Sequence, residues 1–270
     1  PCLNSLNEPL WPARWDYDAL MQRKAEIGSL KFTREYLCVP ISTGTSLFNP
    51  DFVNKCKSKD YVLKLGNRKD KGYKYYVGVD PAISTDGDYN VITVLEVDDE
   101  SNKTIVHVDR AKNVQFRENI EKIRLIGKIF EPEAILYETN TFAKAFTQEL
   151  RTISDLNIQD FDTTRKKKQE IILNLQMNIE NGKMRFPYGD EGSRRLTNAL
   201  IEELSMFSIT QSGKFEGVGA HDDLVMSLAL ANAATQNPTE QFVLLDDMGI
   251  FDEPKPTRPS VAGGITGLNW

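Results

Sequence analysis

The stretch Lys74-Tyr75-Tyr76-Val77-Gly78-Val79-Asp80-Pro81 decides the fold. Aromatic and β-branched residues run through Val79 and read as a strand. Pro81 has no N–H to give to a ladder, so the strand should stop at Asp80 and leave a carboxylate at its C-terminal edge. The arrangement recurs at Ala134-Ile135-Leu136-Tyr137-Glu138, a short apolar run ending on an acid, ahead of Thr139-Asn140-Thr141 and a helical pattern. A third acidic site lies in His221-Asp222-Asp223-Leu224-Val225-Met226-Ser227-Leu228-Ala229-Leu230-Ala231, where two acids open an apolar, Ala-rich helix. Acids in a first helical turn are favoured by the macrodipole, and that alone would account for Asp222 and Asp223. Buried carboxylates repel one another, however, so a fold that gathers several usually does so to hold divalent metal.

Around these sites the order of elements is readable. Strands are expected at 74–80, 90–97 and 103–109, joined by Gly-, Asp-, Asn- and Ser-rich connections that suit hairpins. A helix over 115–130 has apolar spacing at Phe116, Ile120, Ile123 and Ile126 and is ended by Pro132. There follow the strand 134–138, a helix over 142–153, a strand over 158–162 and a helix over 166–180 closed by Asn181-Gly182. Next come a strand at 184–187, a helix over 192–206, a short pairing of 207–209 with 214–217, and the helix opened by Asp222-Asp223. This is an α/β layout with a mixed sheet. If the strand ending at Glu138 returns parallel to the first strand through a right-handed crossover, Glu138 stands beside Asp80 at one edge. The closing helix then needs only to cover that edge for carboxylates of separate elements to converge.

Such a cluster suits two Mg2+ or Mn2+ ions about 4 Å apart, which can clamp the attacking and leaving oxygens of a phosphodiester. Hard oxygen ligands match these ions. Asp80, central among the acids, is the natural bridging ligand. Asp88, in Ser84-Thr85-Asp86-Gly87-Asp88, reads first as a hairpin-turn residue and only second as a ligand.

Composition narrows the classes. Of 270 residues, 40% are hydrophobic and 27% charged, which is ordinary globular composition with ample core. No apolar stretch is long enough to span a bilayer, and no signal-peptide pattern opens the chain, so no membrane partner is expected. The start on Pro1 rather than Met suggests a piece of something longer. Three cysteines, Cys2, Cys38 and Cys56, are odd in number and lack metal-site spacing. A reducing compartment is therefore expected. With only His107 and His221 available, a structural zinc site is not expected. The net charge of −6 excludes a surface built wholly for nucleic acid, yet bases crowd two stretches. One runs from Lys55 to Lys74, and the other is Arg165-Lys166-Lys167-Lys168; either could be a solvated surface.

Val77-Gly78-Val79-Asp80-Pro81, Leu136-Tyr137-Glu138-Thr139-Asn140 and His221-Asp222-Asp223-Leu224-Val225-Met226-Ser227-Leu228-Ala229, in this order and spacing, resemble the nuclease domain of a tailed-bacteriophage terminase large subunit. That domain falls within the ribonuclease H-like superfamily. Trp11-Pro12-Ala13-Arg14, Gly28-Ser29-Leu30-Lys31-Phe32 and Tyr36-Leu37-Cys38-Val39-Pro40 are similar to the family's segment linking motor to nuclease. Lys183-Met184-Arg185-Phe186-Pro187 is similar to its strand before the last catalytic helix.

The resemblance covers most of residues 9–236 and implies a ribonuclease H-like mixed central sheet, a three-strand antiparallel meander plus parallel strands, flanked by helices. It implies a metal-dependent endonuclease that cuts concatemeric viral DNA during genome packaging with little sequence specificity. Asp80, Glu138 and Asp223 would bind two Mg2+ or Mn2+ ions with Asp222 assisting, His221 and Asp88 would be secondary, and Arg165, Lys166, Lys167 and Lys168 would contact phosphates. The implied partners are double-stranded DNA, a portal protein, a terminase small subunit and an N-terminal ATPase domain, and the implied setting is the host cytoplasm at the procapsid portal.

No phosphate-cradling Gly-x-x-x-x-Gly-Lys-Ser/Thr occurs in this chain, so motor activity is not expected of it. The domains expected are a linker and entry segment at 1–72, the nuclease domain at 73–237, and an acidic Pro- and Gly-rich tail at 238–270 that either docks to the portal or stays disordered. Two other readings share the same residues. A Holliday-junction resolvase or transposase-like nuclease uses similar carboxylates, and a non-catalytic DNA-binding or docking module would need the three acidic sites to lie apart in space.

Overall fold

The structure is a computed structural model that describes residues 1–4, 6–39, 46–63, 72–81, 89–139, 143–153, 155–210, 214–217 and 221–236. By contact the chain divides into Pro1–Gln236 and Asn237–Trp270. The second unit, and with it the tail, lies outside the described residues.

The elements of the first unit follow in order: α1 (Tyr17–Ile27), α2 (Ser29–Glu35), α3 (Pro50–Lys55), β1 (Lys57–Ser58), β2 (Lys74–Asp80), β3 (Tyr89–Val97), β4 (Lys103–Lys112), α4 (Phe116–Phe130) and β5 (Ala134–Thr139). They continue with α5 (Ala143–Ile153), β6 (Ile158–Asp162), α6 (Arg165–Glu180), β7 (Met184–Pro187), α7 (Glu191–Met206), β8 (Phe207–Ile209), β9 (Phe215–Gly217) and α8 (Asp223–Ala234). Seven strands form one sheet in the order β1-β7-β4-β3-β2-β5-β6, and β8 pairs with β9 apart from it. Within the large sheet only β3 runs against its neighbours, so β2, β3 and β4 make the antiparallel meander while β5, β6, β7 and β1 add parallel strands. This is the α/β class expected, with β5 returning parallel to β2.

Strand parity decides which side each residue faces. Tyr75, Val77 and Val79 of β2 join Ile135 and Tyr137 of β5 in a core that includes Ile120, Ile123, Ile126 and Phe130 of α4. Ala134 and Leu136 of β5 instead enter the core formed with α6, α7 and α8. By the same alternation Asp80 and Glu138 belong to the α8 side.

Every residue of α8 is buried, so this helix is enclosed on all sides and sits as the innermost layer between the sheet and the outer helices. Gly78 makes that possible. A Cβ built there would lie 2.1 Å from the Ser227 carbonyl oxygen and 2.2 Å from the Ala231 nitrogen, so the α8 backbone rests directly on the strand. Beside this contact the Thr93 and Ser227 hydroxyls share a 2.8 Å hydrogen bond inside the core.

Further along, Lys103 of β4, 6% exposed, donates through Nζ to Asn178 of α6 at 3.0 Å and to Asn232 of α8 at 2.8 Å. It thereby ties both helices to the sheet. Burial lowers the Lys103 pKa from its ordinary 10.5 to about 8. Between those values the unfolded chain binds more protons than the folded one, so stability rises with pH across that window. Urea denaturation at pH 7.5 and 9.5 should show about 2 kcal/mol of this rise, and Lys103→Met should lack it.

Candidate metal centre

The site grows out of the pairing of β2 with β5. Their register ends at Val79↔Tyr137, so Asp80 and Glu138 are the next residues out, side by side at the strands' C-terminal ends. Their side chains are hydrogen-bonded to each other. Asp223, the first residue of α8 and 9% exposed, accepts the Tyr89 backbone N–H from the start of β3 at 3.3 Å. The His221 Nδ1 stands 3.5 Å from the same carboxylate oxygen. Asp222 faces the Lys168 ammonium at 3.0 Å.

Asp80 is held well above the ordinary carboxylate range, first by its burial and then by the charges of Glu138, Asp223 and Asp222 around it. Four acids therefore crowd one edge and resist ionising together. Among the described residues no three Asp, Glu, His or Cys side chains close on a single point at ligand distance. The donor set is nevertheless all hard oxygen, the chemistry Mg2+ and Mn2+ take, and a divalent cation would relieve the repulsion that raises Asp80.

Helix capping does not explain the two acids of α8. Asp222 occupies the N-cap position, but its side chain makes no capping hydrogen bond. The first-turn amides are taken by Glu203 of α7, whose Oε2 accepts the N–H of Leu224 at 2.8 Å and of Val225 at 3.4 Å. Its Oε1 accepts from Arg110 Nη2 at 2.8 Å. Burial pushes the Glu203 pKa up, while Arg110 and the two amides pull it down. Arg110 also lies with its guanidinium 3.9 Å from the centre of the Tyr89 ring, with Lys112 at 4.4 Å and the His221 ring edge-on at 5.0 Å.

Of the residues expected from sequence, Asp80, Glu138, Asp222, Asp223 and His221 are brought together at this edge. Asp88 lies outside the described residues. Arg165, Lys166, Lys167 and Lys168 open α6 behind the N-cap Thr164, whose hydroxyl accepts the Lys167 N–H. The first three are exposed, and Lys168 turns inward to Asp222. Glu203, Arg110 and Tyr89 were not anticipated. One signal for Glu203 was available: it falls on the stripe Ser193, Thr197, Leu200, Leu204 that α7 buries, where an acid needs a partner.

A mixed sheet with one antiparallel interior strand, helices on both faces and acids at the end of neighbouring strands defines the ribonuclease H-like fold. The chain belongs to the Terminase RNaseH-like domain family, whose model matches residues 77–234. It is 24% identical over 233 residues to the terminase large subunits of Thermus virus P23-45 and Thermus phage G20c, covering 82% of this chain and 44% of each relative. The chain thus spans less than half the length of the curated relatives it matches.

Among solved structures, the large terminase nuclease of thermophilic phage G20c with bound cobalt aligns with a TM-score of 0.57 at 22% identity, over 71% of this chain and 98% of that one. The same nuclease with bound magnesium aligns at 0.56 and 22% identity, over 72% and 98%. The HK97 bacteriophage large terminase aligns at 0.52 and 11% identity, over 81% of this chain and 50% of that one. At these identities the likeness is one of fold.

Proposed function

We propose that this chain is the nuclease part of a terminase large subunit, a divalent-metal-dependent endodeoxyribonuclease that cuts concatemeric viral DNA during packaging. The observation that carries the reading is the meeting of Asp80, Glu138, Asp222 and Asp223, from two adjacent strand ends and one helix start, where burial and then the neighbouring charges raise the Asp80 pKa. Family membership and the magnesium- and cobalt-bound G20c nuclease support it.

Asp80, Glu138 and Asp223 would hold two Mg2+ or Mn2+ ions. Such ions, when bound, polarise a phosphodiester and supply a usable water nucleophile. Asp80 would hold a cation as its deprotonated carboxylate, the form that burial and the neighbouring acids disfavour. Asp222, fixed by Lys168, borders the same edge, and the Tyr89 amide keeps Asp223 from swinging away. Arg165, Lys166 and Lys167 would grip backbone phosphates, which fits cleavage with little sequence preference. Double-stranded DNA, a portal protein, a small terminase subunit and an ATPase domain are the partners this reading entails, at the portal in the host cytoplasm. Among the described residues no helix is long and apolar enough to cross a membrane.

The direct test is supercoiled plasmid incubated with the chain and Mn2+ or Mg2+, with and without EDTA. Nicked and linear products that EDTA prevents are expected, and no cleavage under any divalent ion would overturn the reading.

Two further results are expected. Since Asp80 must lose a proton to bind cation, and its pKa is raised, metal affinity should climb with pH. Thermal shifts on adding Mn2+ should accordingly be larger at pH 8 than at pH 6. For the basic helix start, Lys166→Ala with Lys167→Ala should lower the slope of log affinity against log salt by about 2 in magnitude, measured by fluorescence anisotropy on duplex DNA.

A further inference from the structure

The N-terminus of α8 is capped by a side chain from another helix. In an ordinary helix start the N-cap acid turns its oxygen back onto its own first-turn amides. Here Asp222 stands at the N-cap without doing so, and Glu203 of α7 supplies the acceptor to Leu224 and Val225. The two oxygens of Glu203 are divided, Oε2 serving the helix and Oε1 serving Arg110. Both sides of the pair are largely enclosed, with side-chain exposures of 21% for Arg110 and 8% for Glu203.

We propose that Glu203 is a positioning residue for the carboxylate cluster: by capping α8 from α7 it releases Asp222 to face Lys168 and leaves Asp223 against the Tyr89 amide, beside Asp80. Were Asp222 to cap its own helix, its oxygen would be drawn to the α8 amides, and the Lys168 contact at 3.0 Å could not be kept by that oxygen. Arg110 completes the device. It holds the second Glu203 oxygen while its guanidinium packs on Tyr89, the residue whose N–H steadies Asp223. One connected set of contacts from β4 through α7 to α8 thus sets the direction of both acids. The inference rests on the nuclease reading above, because it assigns a purpose to where those acids point.

Glu203→Gln separates this role from simple packing. A Gln whose carbonyl oxygen caps α8 must present its NH2 to Arg110, donor against donor, and turning it over leaves the Leu224 and Val225 amides without an acceptor. Partners that orient a metal ligand are worth a factor of about 10 to 100 in metal affinity. In the full chain, E203Q should therefore weaken Mn2+ binding by isothermal titration calorimetry about 10-fold or more and speed amide exchange at Leu224 and Val225. Adding Arg110→Met removes the opposing donor and keeps an apolar side chain to pack on the Tyr89 ring, so E203Q/R110M should recover most of both; should E203Q alone not fold, the double variant carries the test.

Faster exchange in E203Q with unchanged Mn2+ affinity would show a cap that only stabilises the helix and would overturn the inference, as would unchanged exchange or a folded double variant without recovery. A wild-type chain that binds no Mn2+ would overturn the nuclease reading itself.

Discussion

Asp80→Asn is expected to lower Mn2+-dependent nicking of supercoiled plasmid by roughly 10^3-fold or more, about 4 kcal/mol of barrier, while leaving the fold intact. Asp80 is the central acid, hydrogen-bonded to Glu138 and within the field of Asp223 and Asp222. Asparagine keeps its shape and can keep one hydrogen bond to Glu138, but it cannot offer a cation the charge of a carboxylate. The stability result runs the opposite way. A carboxyl whose folded pKa is raised is most stabilising, or least costly, while protonated, and its cost appears as pH rises through the folded value. Metal-free D80N should therefore melt at or above the wild-type temperature at neutral and alkaline pH, and Mn2+ should raise its melting point less. Cleavage retained at more than a tenth of wild type would remove Asp80 from the mechanism.

Gly78→Ala is expected to cost about 3 kcal/mol or more, although alanine is the smallest change available. The added Cβ falls between Ser227 O and Ala231 N, the two ends of one α8 hydrogen bond, at 2.1 and 2.2 Å. Both are backbone atoms, so no rotamer change relieves the clash, and α8 must lift from β2. For a unit of this size the loss corresponds to a melting temperature lower by roughly 6–12 °C in differential scanning calorimetry. Because Asp223 is the first residue of α8, the lift also carries it away from Asp80. Metal affinity should fall together with stability, whereas D80N separates the two. A G78A chain that melts within a degree of wild type would show that helix and strand do not meet as described.

Much of the frame was legible along the chain. β2 ends at Asp80, where Pro81 lacks the ladder donor, and α6 closes at Glu180 ahead of Asn181-Gly182. The parallel return of β5 follows from a strand, helix, strand order that admits few other connections. Elsewhere the partner decided. β4 runs on to Lys112, three residues past the expected Asp109, because Tyr89 and Asn90 of β3 continue the ladder opposite it. β1 is two residues, Lys57–Ser58, with no strand signature, and is a strand only because β7 offers it an edge. Lys168, grouped by sequence with Arg165, Lys166 and Lys167, turns inward to Asp222, 54 residues away.

What the sequence by itself determined is therefore local. An aromatic and β-branched run and a proline place an acid at the end of β2, a short apolar run places Glu138 one residue before the end of β5, and an apolar run marks α8 as a helix with acids at its start. The tertiary structure alone decided how these ends meet: Gly78 admits the α8 backbone onto the sheet, and Glu203 takes over a capping task that nearest-neighbour rules assign to Asp222. The physical reason is range. Strand parity and chain termination are written in residues a few positions apart, whereas close approach and charge pairing depend on atoms brought together only when distant segments pack.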